Sequence, residues 1–105
     1  MQITHTSSED SLHMQTSIFK ALGQPIRLLL VQHLRHGPAT VGALTRQVDR
    51  DFSTVSRHLA ELERVGILAK QRQGTSICYS VRLPCLGLLL DCLDQQYPDQ
   101  GTCHV

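Results

Sequence analysis

Ser53, Thr54, Ser56, Arg57 and His58 stand almost side by side in the middle of this 105-residue chain. Short hydroxyls, a fork-shaped cation and an imidazole suit the edges of DNA bases and the phosphates beside them. A second group is soft rather than polar. Cys85 and Cys92 lie seven residues apart near the C-terminal end, with Cys103 further on and Cys78 before them. Thiolates favour soft metals and metalloids over magnesium or calcium.

The stretch Asp51 to Gly66 must be a helix if the first group is to act together. Val55, Leu59, Leu62 and Val65 recur at three- and four-residue steps, so one stripe is buried. Ser53 is expected to cap its start and Gly66 to end it in a left-handed conformation. Its small polar residues fall in the first two turns, which lets the helix meet a major groove end-on.

The elements around it follow in order. Ser11 to Leu22 has helical spacing with Ser11 as its cap, and Gly23 stops it. Pro25 suits the first position of a second helix, because its missing N–H is not needed there. That helix is apolar over much of its surface (Ile26, Leu28, Leu29, Leu30, Val31, Leu34), which predicts a central core element ended by Gly37-Pro38. Thr40 caps a third helix, Val41 to Val48, with Val41, Leu44 and Val48 inward. Asp49-Arg50-Asp51 then links two short helices in a helix-turn-helix arrangement. Ile67–Arg72 and Thr75–Val81 read as strands joined by a turn at Gln73-Gly74. A last helix runs from Leu83 to about Tyr97, opened by Pro84. It carries two apolar stripes, Leu86-Leu90-Leu93-Tyr97 and Cys85-Leu88-Leu89-Cys92. Two buried faces need two partners, and the second is most simply another copy of the chain.

The fold class expected is therefore mainly α with a two-stranded β-hairpin: a winged helix-turn-helix of about five helices, working as a homodimer. Its divisions are a flexible N-terminus (1–10), the winged domain with dimerising first and last helices (11–97), and a flexible tail (98–105). Net charge is +1, but its distribution is uneven. Residues 41–73 hold six Lys or Arg and four acids, whereas residues 83–105 hold three acids and no Lys or Arg. A basic middle beside an acidic end fits a protein that meets phosphate with one face. There is no membrane-spanning run and no signal peptide, so a cytoplasmic protein with reduced thiols is expected. An enzyme is disfavoured: the chain has no Cys-x-x-Cys, glycine-rich phosphate loop or Ser/His/Asp arrangement on loops.

Several stretches resemble the ArsR/SmtB family of bacterial winged-helix repressors. They are Phe19–Leu28, Ser53–Leu62, Val65–Leu68, and Gln73-Gly74 leading to Tyr79-Ser80-Val81. The resemblance covers about residues 12–97. It implies a homodimer, joined through its first and last helices, that binds double-stranded operator DNA without a cofactor and releases it when a metal, metalloid or oxidant reaches a sensor site. The positions matching the family's DNA contacts are Ser53, Thr54, Ser56, Arg57 and His58, with Arg72 and Gln73 in the wing. The family's founding arsenic sensors carry Cys-x-Cys in the third helix, where this chain has Val41-Gly42-Ala43-Leu44-Thr45. Its zinc sensors use Asp and His ligands on the last helix, where this chain offers Leu83, Cys85, Gln96 and Asp99.

Both of those sites are thus absent, and the metal candidates are Cys85, Cys92 and Cys103. Cys85 and Cys92 share a helix face but are roughly 10 Å apart along the axis. Two antiparallel helices across a dimer would bring Cys85 of one chain to Cys92 of the other, with Cys103 as a third sulfur. Three sulfurs suit trivalent arsenic, so As(III) or another soft ion is the effector expected. Cys85 also lies at a helix start, where the dipole favours a thiolate. The competing readings are that Cys85 and Cys92 are small hydrophobes in a dimer seam, that they form a thiol-oxidation or persulfide switch, or that the domain is an effector-independent DNA-binding or protein-interaction module.

Overall fold

A computed structural model describes residues 5–97, and the side chains from Glu9 onward. The elements run α1 (His5–Leu22), α2 (Pro25–Leu34), β1 (Ala39–Thr40), α3 (Val41–Val48), α4 (Phe52–Arg64), β2 (Leu68–Gln73), β3 (Ser76–Val81) and α5 (Cys85–Gln96). Among the described residues no helix is long and apolar enough to cross a membrane.

Local chemistry explains most boundaries. Pro25 occupies the first turn of α2, and the Gln24 side chain accepts from the backbone N–H of Ile26 (2.8 Å) and Arg27 (3.1 Å). Thr40 caps α3 as expected, its Oγ1 accepting from Ala43 N–H at 3.1 Å. Asp49, with φ 54°, closes α3 in the left-handed region, a conformation Asp tolerates better than most side chains. Gly66 ends α4 with φ 92°. Its N–H donates to Glu63 O, and that of Ile67 to Leu62 O, which together make a Schellman stop.

The core is aliphatic and continuous. Leu30, Leu44, Leu59, Leu62, Ile67 and Leu68 are essentially sealed from water, joined by Val31 and Val55. Each such side chain contributes about 1.5–3 kcal/mol relative to an exposed one. α2 packs against α1, α3 and α4 and supplies Leu30, Val31 and Leu34, so it is the central element its composition predicts.

Four features differ from expectation. α1 begins at His5, so Ser11 lies inside the helix rather than capping it. The first turn of α5 has Pro84 in front of it with no side-chain cap. The wing's turn sits one residue later: Gln73 pairs with Ser76, leaving Gly74 (φ 64°) and Thr75 as the loop. The sheet also has three strands, not two, in the order β1-β3-β2. Ala39 pairs with Tyr79 and Thr40 with Cys78, all antiparallel.

α5 meets the core through Leu86 and Leu90. Its other apolar residues stay in water: Leu88 is 73% exposed, Leu93 45% and Tyr97 78%, and both Cys85 and Cys92 are exposed. On α1, Leu12, Met14 and Phe19 are likewise exposed. One chain therefore leaves the outer faces of its first and last helices uncovered. α5 is held to α2 by Arg35, whose guanidinium pairs with Asp91, reaches Asp94 at 3.4 Å and donates to Gly87 O at 3.1 Å.

Candidate nucleic-acid interface

The leading end of α4 is organised by Asp51, not Ser53. Asp51 is the cap: its Oδ2 accepts from Thr54 N–H at 3.2 Å. The Ser53 hydroxyl donates to the same carboxylate at 2.7 Å, and the Thr54 hydroxyl donates to Oδ1 at 2.7 Å. The Ser53 and Thr54 hydroxyls, followed by the Thr54 N–H, hold the Asp51 carboxyl well below the usual carboxylate range. This cluster has a chemical consequence. Each hydroxyl spends its single proton on Asp51, so what it presents outward is lone pairs. Ser53 and Thr54 thereby offer hydrogen-bond acceptors, and not free donors, at the start of α4.

Arg57 is exposed, and its side chain makes no hydrogen bond or ion pair with any other described residue. Ser56 is half-buried, on the side of α4 toward the wing. His58 departs from the set. It is only 8% exposed, the one buried polar side chain among the described residues, and its Nδ1 accepts from Arg27 Nε at 3.1 Å. Burial, followed by the nearby charges of Arg27 and Arg57, pushes its pKa below the ordinary imidazole value. A neutral ring with Nδ1 as acceptor is the state this contact requires. The structure therefore turns His58 inward, against Arg27 of α2.

The wing presents the opposite character. Every residue of β2 after Leu68 is exposed, including Lys70, Arg72 and Gln73, and none of these three has a partner among the described side chains. A ribbon with free cations and a short turn suits a phosphate backbone or a minor groove. Between the starts of α3 and α4 and the turn-proximal part of β3 lies a cleft of about 400 Å³.

The sequence signals for the two unexpected residues are recognisable. Asp51 is followed three residues later by the N–H it caps, and Asp is as good an N-cap as Ser. His58 is three residues after Val55 and four before Leu62, so helical spacing already puts it on the edge of the buried stripe.

Among the described residues no three His, Cys, Asp or Glu side chains come together. Cys103 lies outside the described residues. Cys78 is half-buried on β3.

Comparison with known proteins bears on this geometry. A family model described as HVO_A0114 matches residues 24–82, which is α2 through the end of the wing. The HTH-type transcriptional regulator NmtR of Mycobacterium tuberculosis is 36% identical over 75 residues, 71% of this chain and 62% of that protein. A biofilm growth-associated repressor of Xylella fastidiosa is 31% identical over 77 residues, 73% of this chain and 68% of that one. The solution structure of the homodimeric winged helix-turn-helix DNA-binding domain of Mb0332 from Mycobacterium bovis, a possible ArsR-family regulator, superposes with a TM-score of 0.81. It covers 100% of both chains at 21% identity, a likeness of fold alone.

This chain belongs to the ArsR family of winged-helix transcriptional regulators. It is a regulator and not an enzyme. As an ArsR-family chain it has the family's helix-turn-helix and wing inside the span matched by the family model. Cys85 and Cys92 fall beyond Arg82, where that match ends.

Proposed function

We propose that the protein is a homodimeric repressor that grips operator DNA with α4 and the wing and lets go when a soft metal or metalloid, best matched by arsenite, binds thiolates of α5. The observation that carries the DNA half is the unneutralised outer surface of α4 and β2: Arg57, Lys70 and Arg72 are exposed and unpaired among the described residues, beside hydroxyls arranged as acceptors. Ser53, Thr54, Ser56, Arg57, Arg72 and Gln73 form the DNA set, and His58 supports it from inside. The exposed apolar residues of α1 and α5 favour a second copy as the cover for those faces, as does the homodimeric state of the Mb0332 domain.

The effector half rests on Cys85 and Cys92. Both thiols are exposed, on one face of a helix that also exposes Leu88 and Leu89. A site with more than one sulfur then needs the second chain, with Cys103 as the further ligand. The effector acts by differential binding. It favours a dimer geometry in which the two recognition helices no longer match half-sites one helical turn apart.

The test is a titration of the reduced protein with arsenite on its own promoter fragment, read by fluorescence anisotropy. Release near stoichiometric arsenite, abolished in Cys85→Ser or Cys92→Ser with operator affinity intact, is the expected result. Release that persists in the double Ser variant sinks the site assignment. The exposure of both thiols also favours a second reading, a thiol-oxidation or persulfide sensor. Release by peroxide or persulfide with metals chelated identifies it.

A further inference from the structure

Phe52 is the first residue of α4, directly after the cap, and it is 58% exposed. A single exposed apolar side chain is ordinary on a protein surface. What sets Phe52 apart is its surroundings. It lines the cleft with Ser56, one turn along the same helix, with Gly42 at the start of α3, and with Thr75, Ser76 and Tyr79 of the wing. The beginnings of both helices of the helix-turn-helix and the turn-proximal part of β3 thus meet beside one phenyl ring. In sequence it is flanked by two exposed cations, Arg50 and Arg57, and by two exposed acids, Asp49 and Asp51. The Asp51 oxygens are engaged by Ser53 and Thr54.

We propose that Phe52 is a specificity-determining residue that reads thymine, through contact of its ring with the C5-methyl group in the major groove. This inference rests on the DNA-reading role proposed for α4. The chemistry selects the base. Among the major-groove edges of the four bases, the thymine methyl is the apolar group, and Phe is one of the side chains that meets it. A phenyl ring neither donates nor accepts a conventional hydrogen bond. Pressed against the cytosine amino group or the guanine acceptors, it removes water from a polar group and returns nothing, which is costly. Thymine is therefore favoured both by what it gains and by what the alternatives lose.

The experiment begins with duplexes selected by the wild-type protein from a randomised library, with affinities measured by anisotropy. Each thymine of the selected site is then replaced in turn by deoxyuridine, which removes the methyl group and leaves every hydrogen-bonding atom. The expected result is a loss of about three- to fivefold at one thymine of a half-site, the size of one buried methyl. In Phe52→Ala that loss disappears, and in Phe52→Leu part of it remains. Phe52 lies outside the core, so circular dichroism is expected to show both variants folded. Indifference of the wild type to deoxyuridine at every position overturns the Phe52 assignment alone, as does an undiminished loss in Phe52→Ala. Failure of the wild type to select any sequence overturns the DNA-reading role of α4 together with it.

Discussion

Arg27 Nε donates to His58 Nδ1 at 3.1 Å, tying the first turn of α2 to the middle of α4. The recognition helix is thus fixed to the core by a polar contact as well as by Val55, Leu59 and Leu62. A protonated imidazole has no lone pair at Nδ1 and faces two guanidiniums, Arg27 and Arg57. Because the folded-state pKa of His58 lies below its unfolded value, the neutral ring is the stable partner. The contribution is fully present above about pH 6.5, the ordinary imidazole value, and is lost as pH falls through the depressed folded value. Urea midpoints at pH 7.5 and 5 are expected to differ more in wild type than in His58→Leu. Equal pH dependence in the two proteins removes His58 as the titrating group.

At the start of α4, Asp51→Ala removes the acceptor for one backbone N–H and two hydroxyls at once. The melting temperature falls by a few degrees on the scale of a lost N-cap, and Asp51→Asn recovers most of it because Asn caps equally well. Ser53→Ala has a smaller effect. A Ser53→Ala loss as large as that of Asp51→Ala places the cap where the sequence first suggested it.

Leu44 is sealed between α3 and the rest of the core. Leu44→Ala costs about 2–5 kcal/mol from lost transfer energy and the cavity left behind. Urea denaturation with an unchanged slope measures it. In a small domain that is a large share of total stability.

Arg57 and Arg72 are expected to separate in their effects on DNA. Arg57→Ala weakens binding to a selected site by roughly 1–3 kcal/mol if it makes a bidentate guanine contact, with much less change on random DNA. Arg72→Ala weakens both alike and lowers the salt slope of binding by about one. Equal losses on specific and random DNA for Arg57→Ala reduce it to a phosphate contact.

Much of this fold was legible before any coordinates. Repeated apolar steps located α2 to α5, Thr40 and Gly66 marked their ends, and the change of period after Gly66 found the hairpin. The misses share physical causes. β1 is two residues long, too short for any alternation to register. Asp51 and Ser53 are both good caps two positions apart, and only the hydrogen bonds choose between them. The first turns of α1 are polar, so no stripe announces a helix beginning at His5. His58 was grouped with its polar neighbours by residue type, while its spacing from Val55 and Leu62 put it on the buried side. On α5 the two stripes were legible. The outer one stays exposed in a single chain, and what covers it is not encoded by a single-chain pattern.

Thr40 belongs to two elements at once: it pairs with Cys78 in the sheet and caps α3 with its side chain. The middle of β3 is therefore tied to α3, the helix that leads into α4. In the dimer proposed above, each chain would then act on a duplex like one jaw of a calliper. A signal that loosened such a grip would act on the joint between the two chains, not by bending either jaw.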